Sequence, residues 1–154
     1  MIIRILFVLL LVSACAAAPQ AGFRDPAAMI TSTTRFEAVR FAGPWQMRAG
    51  MGALPQALVF TETDGQITAM QPLGGGAAVD LTQTMPARFA GPDGPIWVLW
   101  VDDGYRTAVL GRPDGQFAWV LDRNATGGTD RLAAARAVLD FNGYDLAQLR
   151  QVAP

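Results

Sequence analysis

The chain has no histidine and no lysine, a single cysteine, and only two serines, Ser13 and Ser32. Without histidine it lacks the commonest general base, proton shuttle and metal ligand at once. One cysteine, Cys15, excludes an intramolecular disulfide and a zinc site built on thiolates. Both serines lie near the N-terminus, so no Ser-His-Asp set can be assembled. The aspartates at 64, 93, 102, 103 and 114 fall at turns, where Asp is common for conformational reasons. Glu37 and Glu62 are isolated. These absences argue against an enzyme and predict no metal and no cofactor. Charge is also scarce, with 16% charged residues and a net charge of -1, which gives no general attraction to nucleic acid. All twelve basic residues are arginine, which we read as coding bias.

What the sequence does have is apolar residues, 51% of the chain, and part of that excess sits at the start. Residues 1–14 read as a secretion signal, with Arg4 as the positive region and residues 5–12 as an apolar core too short to span a bilayer. Val12-Ser13-Ala14-Cys15 resembles the bacterial lipobox. In such lipoproteins the Cys thiol receives a diacylglycerol, the chain is cut before it, and the new amino group is acylated. The resemblance implies lipid attachment at Cys15, and two or three acyl chains make a stable anchor. Ala16 follows, where an Asp would resemble an inner-membrane retention signal, so the expected location is the periplasmic face of the outer membrane. Residues 15–28 read as a tether. Residues 29–154 are the domain, long enough for one core.

The domain is organised around residues 96–123. Three apolar runs, 96–101, 105–110 and 117–121, are rich in Val, Leu and aromatics, which suit a pleated surface. Asp103-Gly104 and Pro113-Asp114-Gly115 supply turn chemistry between them. Upstream, Trp45, Met47 and Ala49 alternate with Gln46 and Arg48 as on a half-buried strand. Residues 56–63 and 66–71 read as a hairpin through Asp64-Gly65, with Leu58, Phe60 and Glu62 on one face. Two short strands are expected at 78–83 and 85–89. Gly74-Gly75-Gly76 is a loop, not a phosphate cradle, since no Lys-Ser/Thr follows. Residues 130–142 read as a helix, with Thr129 as N-cap, Leu132, Ala135, Val138 and Leu139 on one stripe, and Gly143 as the stop. A short turn and a last strand finish the chain.

About eight strands joined by short turns predict an all-β, eight-stranded, up-and-down antiparallel barrel, with one C-terminal helix packed outside. A sandwich is the alternative, disfavoured by the lack of long crossovers. In this order the residues resemble the lipocalins, and most of all the bacterial outer-membrane lipoprotein lipocalins. Gly43-Pro44-Trp45 resembles the family's first-strand Gly-x-Trp. Asp103-Gly104-Tyr105 resembles its Thr-Asp-Tyr signature, with Asp102 in place of the Thr. Arg123 resembles its terminal Arg. The resemblance implies a structural plug, with the Arg123 guanidinium over the Trp45 indole.

It also implies a carrier of a small lipophilic ligand of the fatty acid or lysophospholipid class, palmitate for instance, held to the membrane through Cys15. The alternative is a non-enzymatic module on a filled, degenerate barrel that binds protein partners. Candidate ligand-facing residues are Met47, Ala49, Leu58, Phe60, Phe117, Trp119 and Leu121. Trp97 and Trp100 are expected on opposite faces of their strand. The middle strands, between 66 and 96, are shorter than fuller members spend there, and the loop at 50–55 lacks a long insert. Both departures predict a small, shallow or open cavity.

Overall fold

Turn residues, more than strand residues, set the architecture. The computed structural model describes residues 22–154, so the signal, Cys15 and the first part of the expected tether lie outside the described residues. Among the described residues, nine strands form one antiparallel path: β1 (Gly43–Met51), β2 (Ala57–Thr63), β3 (Gln66–Pro72), β4 (Val79–Asp80), β5 (Thr82–Met85), β6 (Arg88–Gly91), β7 (Gly94–Val101), β8 (Thr107–Gly111) and β9 (Ala118–Asp122). Their order is β4-β3-β2-β1-β9-β8-β7-β6-β5. The ends of this path meet through Leu81, whose N–H donates to the Thr68 carbonyl at 2.8 Å. Gln83 adds a side-chain acceptor for the Ile67 N–H at 3.1 Å. The barrel is therefore nearly closed. β4 and β5 are two halves of one stave broken at Leu81, which is why eight expected strands become nine.

Asp64 and Gly65 both take positive φ, 52° and 79°, and so form a two-residue hairpin. Ala87 at φ 61° turns β5 into β6, where a strand over 85–89 was expected. Between β7 and β8 the Tyr105 N–H donates to the Asp102 carbonyl at 2.8 Å, and Tyr105, not Gly104, takes the positive φ of 54°. A turn followed by one left-handed residue closes this hairpin in place of the expected Asp-Gly pair.

Two apolar layers result. The inner one fills the barrel with Phe41, Trp45, Phe60, Phe89, Leu110 and Leu121, among others. The outer one, with Met51, Leu99, Val109 and Val120, receives helix α2 (Thr129–Phe141) through Ala135 and Leu139. The cap of α2 differs from expectation. Gly128 holds the N-cap position at φ 73° with no side-chain cap, and Thr129 is already helical. A short helix α1 (Ala38–Phe41) closes one end, and β10 (Arg150–Gln151) pairs with β1 off the main path.

The strand pairings shift register at four places, and two of these shifts correct two expectations. The β1–β9 register shifts between Met47 and Ala49. Met47 therefore points inward, but Ala49 packs in the outer layer. The β7–β8 register shifts between Val98 and Trp100, so Trp97 and Trp100 both pack on the outer layer instead of on opposite faces. An extra residue in one strand is what allows parity to change.

Residues 22–28, expected as tether, are docked. The Phe23 N–H donates to Gly115 at 2.6 Å and the Asp25 N–H to Gly143 at 2.8 Å. The buried Arg24 guanidinium donates to the carbonyls of Asn142 (3.1 Å), Pro113 (2.9 Å) and Ala28 (2.5 Å).

Candidate functional site

The two ends of the barrel differ. At the end carrying the β1–β2, β3–β4, β6–β7 and β8–β9 connections, a pocket of about 200 Å³ opens to solvent. Its apolar floor is Met70, Ile96, Phe117 and Trp119, and Arg112 and Asp93 stand on the rim. Phe117 and Trp119 stack with centroids 4.0 Å apart, and the Trp119 indole N–H donates to the Ala53 carbonyl at 2.8 Å. Trp119 is thereby fixed; it is 6% exposed and contributes only a small part of its surface to the pocket wall. Arg112 is held by Asp114 through a two-point ion pair, Nε–Oδ1 3.1 Å and Nη2–Oδ2 2.6 Å.

Below this mouth the lumen is packed. Leu58 and Phe60 are 1% exposed and Leu121 is 0% exposed, which leaves no surface for a ligand at that depth. Phe41 meets Trp45 at 5.1 Å and Phe60 at 4.9 Å between ring centroids, and Phe36 meets Phe89 at 5.7 Å. These aromatic contacts seal the opposite end.

The seal is held by Arg123. Its guanidinium carbon lies 3.8 Å from the centre of the Trp45 ring. It also donates to four carbonyls: Pro44 at 2.8 Å, Arg40 at 2.7 Å, Phe41 at 3.1 Å and Tyr105 at 3.2 Å. Burial pushes its pKa below the ordinary arginine value. The Trp45 N–H donates to Phe41 at 2.8 Å. Gly43 takes φ 92°, a conformation that L side chains rarely adopt, where the chain leaves α1 for β1.

A family model described as a lipocalin-like domain matches residues 58–154. The chain belongs to the lipocalin-like family. Two solved structures with the same fold are the cockroach major allergen Per a 4 and apocrustacyanin C1. Per a 4 is 12% identical, with a TM-score of 0.58, covering 84% of this chain and 96% of that one. Apocrustacyanin C1 is 14% identical, with a TM-score of 0.54, covering 74% of this chain and 77% of that one. At these identities the likeness is one of fold. None of the curated proteins matches the chain. Lipocalin folds generally bind small hydrophobic ligands.

Within this lipocalin-like barrel the seven candidate ligand-facing residues separate. Phe117 and Trp119 line the mouth pocket. Met47, Leu58, Phe60 and Leu121 belong to the packed interior, and Ala49 lies outside the barrel wall. The pocket lies at the mouth because Leu58, Phe60 and Leu121 fill the interior beneath it.

At the Asp-Tyr turn, the organising carboxylate is Asp102, the residue standing in place of the family's Thr. It accepts from the backbone N–H groups of Arg106 (2.6 Å), Thr107 (2.7 Å) and Gly104 (3.3 Å), and from Arg106 Nε at 2.9 Å. Burial alone would raise its pKa. The donors from Thr107 and Arg106 outweigh that and hold it below the usual carboxylate value of 3.8. Asp103 contributes only a backbone carbonyl, to Arg40 at 2.8 Å. The Tyr105 hydroxyl accepts from the Glu37 N–H at 2.8 Å, which ties the turn to α1.

Three polar residues with no motif to mark them, Thr107, Asp122 and Arg131, act together. The fully buried Asp122 accepts from the Thr107 hydroxyl at 2.5 Å, from Arg131 at 3.1 Å and from the Asn124 N–H at 2.8 Å. Arg131 also donates to Thr107 Oγ1 at 2.7 Å. This network pins the start of α2 to the wall. Its signal in the sequence was a carboxylate ending an otherwise apolar strand. Among the described residues, no group of three or more His, Cys, Asp or Glu converges as a metal site, and no helix is long and apolar enough to cross a membrane.

Proposed function

We propose that this protein is a membrane-anchored lipocalin-like carrier that takes a small hydrophobic ligand at its mouth. The observation that supports this reading is the apolar pocket of about 200 Å³ formed by Met70, Ile96, Phe117 and Trp119 beneath a polar rim. Its volume is below the roughly 300–1,000 Å³ of sites that bury a drug-sized molecule. It therefore suits one end of an acyl chain better than a whole lipid. A fatty acid or lysophospholipid would lay its chain end on Trp119 and leave its headgroup at the rim, near Arg112. Anchoring would come from acylation at Cys15 on the periplasmic face of the outer membrane.

Native mass spectrometry of the chain begun after Cys15, with palmitate and lysophospholipid added, tests the carrier reading. One bound lipid per chain, with a change in tryptophan emission, is the expected result. No adduct with either class overturns it. Detergent partitioning of Cys15→Ser tests the anchor, and an unchanged membrane fraction overturns that part.

The packed lumen favours a second reading. With Leu58, Phe60 and Leu121 fully enclosed, the barrel can serve as a rigid, non-enzymatic platform for a protein partner. Absence of lipid adducts would leave this reading standing.

A further inference from the structure

The described chain begins at the barrel mouth. A side chain on Gly22 would come within 2.6 Å of the Asp114 carbonyl oxygen and of Gly115, in the β8–β9 connection that rims the pocket. The main-chain bonds from Phe23 to Gly115 and from Asp25 to Gly143, with the three Arg24 bonds, hold the segment there. Residues 16–21 are all that separate Cys15 from this fixed point. Even fully extended, that length of chain reaches at most about 25 Å. The nine-residue strand β1, tilted as barrel strands are, gives the wall a height of roughly 20–25 Å. A lipid on Cys15 therefore stays near the mouth unless the whole tether is drawn taut along the wall.

Large apolar side chains are exposed at both ends, so exposure alone does not choose between them. Leu73 (46%), Met29 (77%) and Phe141 (73%) lie at the mouth end, and Val39 and Met85 at the sealed end. Leu73 is placed by its N–H bond to Ala57 at the top of β2. Met29 and Phe141 flank the contact between Thr31 and Asn142, beside the docked Arg24. Tether length favours the mouth end, because the sealed end is reached only with residues 16–21 drawn fully taut along the wall.

We propose that the barrel stands mouth-down on the bilayer that holds its anchor, with Leu73, Met29 and Phe141 against the lipid surface. The inference rests on acylation of Cys15 and deepens the carrier reading. A mouth facing the membrane takes an acyl chain directly from the lipid layer, and the Trp45–Arg123 seal faces away.

The acylated full chain offers a clean test, because its only cysteine is consumed by lipid. Leu73→Cys, Phe141→Cys and Met85→Cys would each carry one environment-sensitive fluorophore. Each protein is reconstituted in phosphatidylethanolamine/phosphatidylglycerol vesicles containing a headgroup-spin-labelled lipid. Labels at 73 and 141 should be quenched several-fold more than the label at 85. Equal quenching, or stronger quenching at 85, overturns the orientation. Flotation with the same vesicles separates the two claims. If the protein floats and the quenching pattern is wrong, the orientation fails and the anchor stands. If Cys15→Ser floats as well as the acylated chain, the anchor fails, and the orientation with it.

Discussion

The Arg123 guanidinium sits 3.8 Å from the centre of the Trp45 ring and, in the same position, binds carbonyls of α1, β1 and the β7–β8 turn. One side chain thus joins the end of β9 to three other parts of the chain at the sealed end. Arg123→Ala should cost about 2–4 kcal/mol, from the lost cation–π contact and several charge-assisted bonds. Arg123→Lys should recover less than half, since an ammonium cannot reproduce the planar fork. Urea unfolding of the three proteins checks the ranking. Equal stability of the Lys variant and the parent would show that charge alone is needed.

Asp102 makes stability depend on acid. Its folded pKa is depressed, so the ionised form is favoured in the native state. The contribution is present above the unfolded carboxylate pKa, near 3.8, and is lost as pH falls through the lower folded value. Asp102→Asn should lose about 1–3 kcal/mol at pH 7, because an amide accepts fewer of the four bonds. The gap between parent and variant should narrow steadily below pH 4. Denaturation midpoints measured across that range check it, and a constant gap would refute the linkage.

Removing Arg131 should be more damaging than removing most surface arginines. Asp122 is fully buried, and Arg131 is its only cationic partner among the described residues. Arg131→Leu leaves that charge uncompensated, at about 3–5 kcal/mol. The double variant Arg131→Leu/Asp122→Asn should regain much of the loss. A double-mutant cycle by urea unfolding reads the coupling directly.

The sequence revealed the fold wherever a backbone conformation demanded a residue type. Asp64-Gly65 was readable because two positive φ angles in succession select such residues. The helix stripe was readable because Ala135 and Leu139 sit one turn apart on the buried face. Alternation failed at the bulges. No residue near Arg48 or Leu99 announces an extra position, so simple alternation puts Ala49 in the lumen and the two tryptophans on opposite faces. Arg24 was hidden for another reason. Its partners are backbone carbonyls up to 118 residues away, and carbonyls have no residue signature. The pocket was legible only in part, since packing depth depends on how tightly Phe60 and Leu121 fill the interior, not on which face they occupy.

Depth also separates ligand residues from core residues by experiment. Phe117 is half-buried at the mouth and stacks on Trp119, whereas Phe60 is enclosed among Phe41 and the interior apolar residues. Phe60→Ala should cost about 3–5 kcal/mol, the transfer and cavity cost of a buried ring. Phe117→Ala should cost less than about 1.5 kcal/mol, because its ring keeps solvent contact and little cavity forms. For lipid binding the order should invert. Phe117→Ala removes half of the aromatic platform and should weaken palmitate binding about 5- to 20-fold, a loss of roughly 1–2 kcal/mol. Any Phe60→Ala protein that remains folded should bind at the mouth as the parent does, or more tightly if the new space admits the chain end. Tryptophan-fluorescence titration alongside urea unfolding reads both quantities. Loss of binding in Phe60→Ala with binding intact in Phe117→Ala would place the ligand in the lumen and contradict the mouth site.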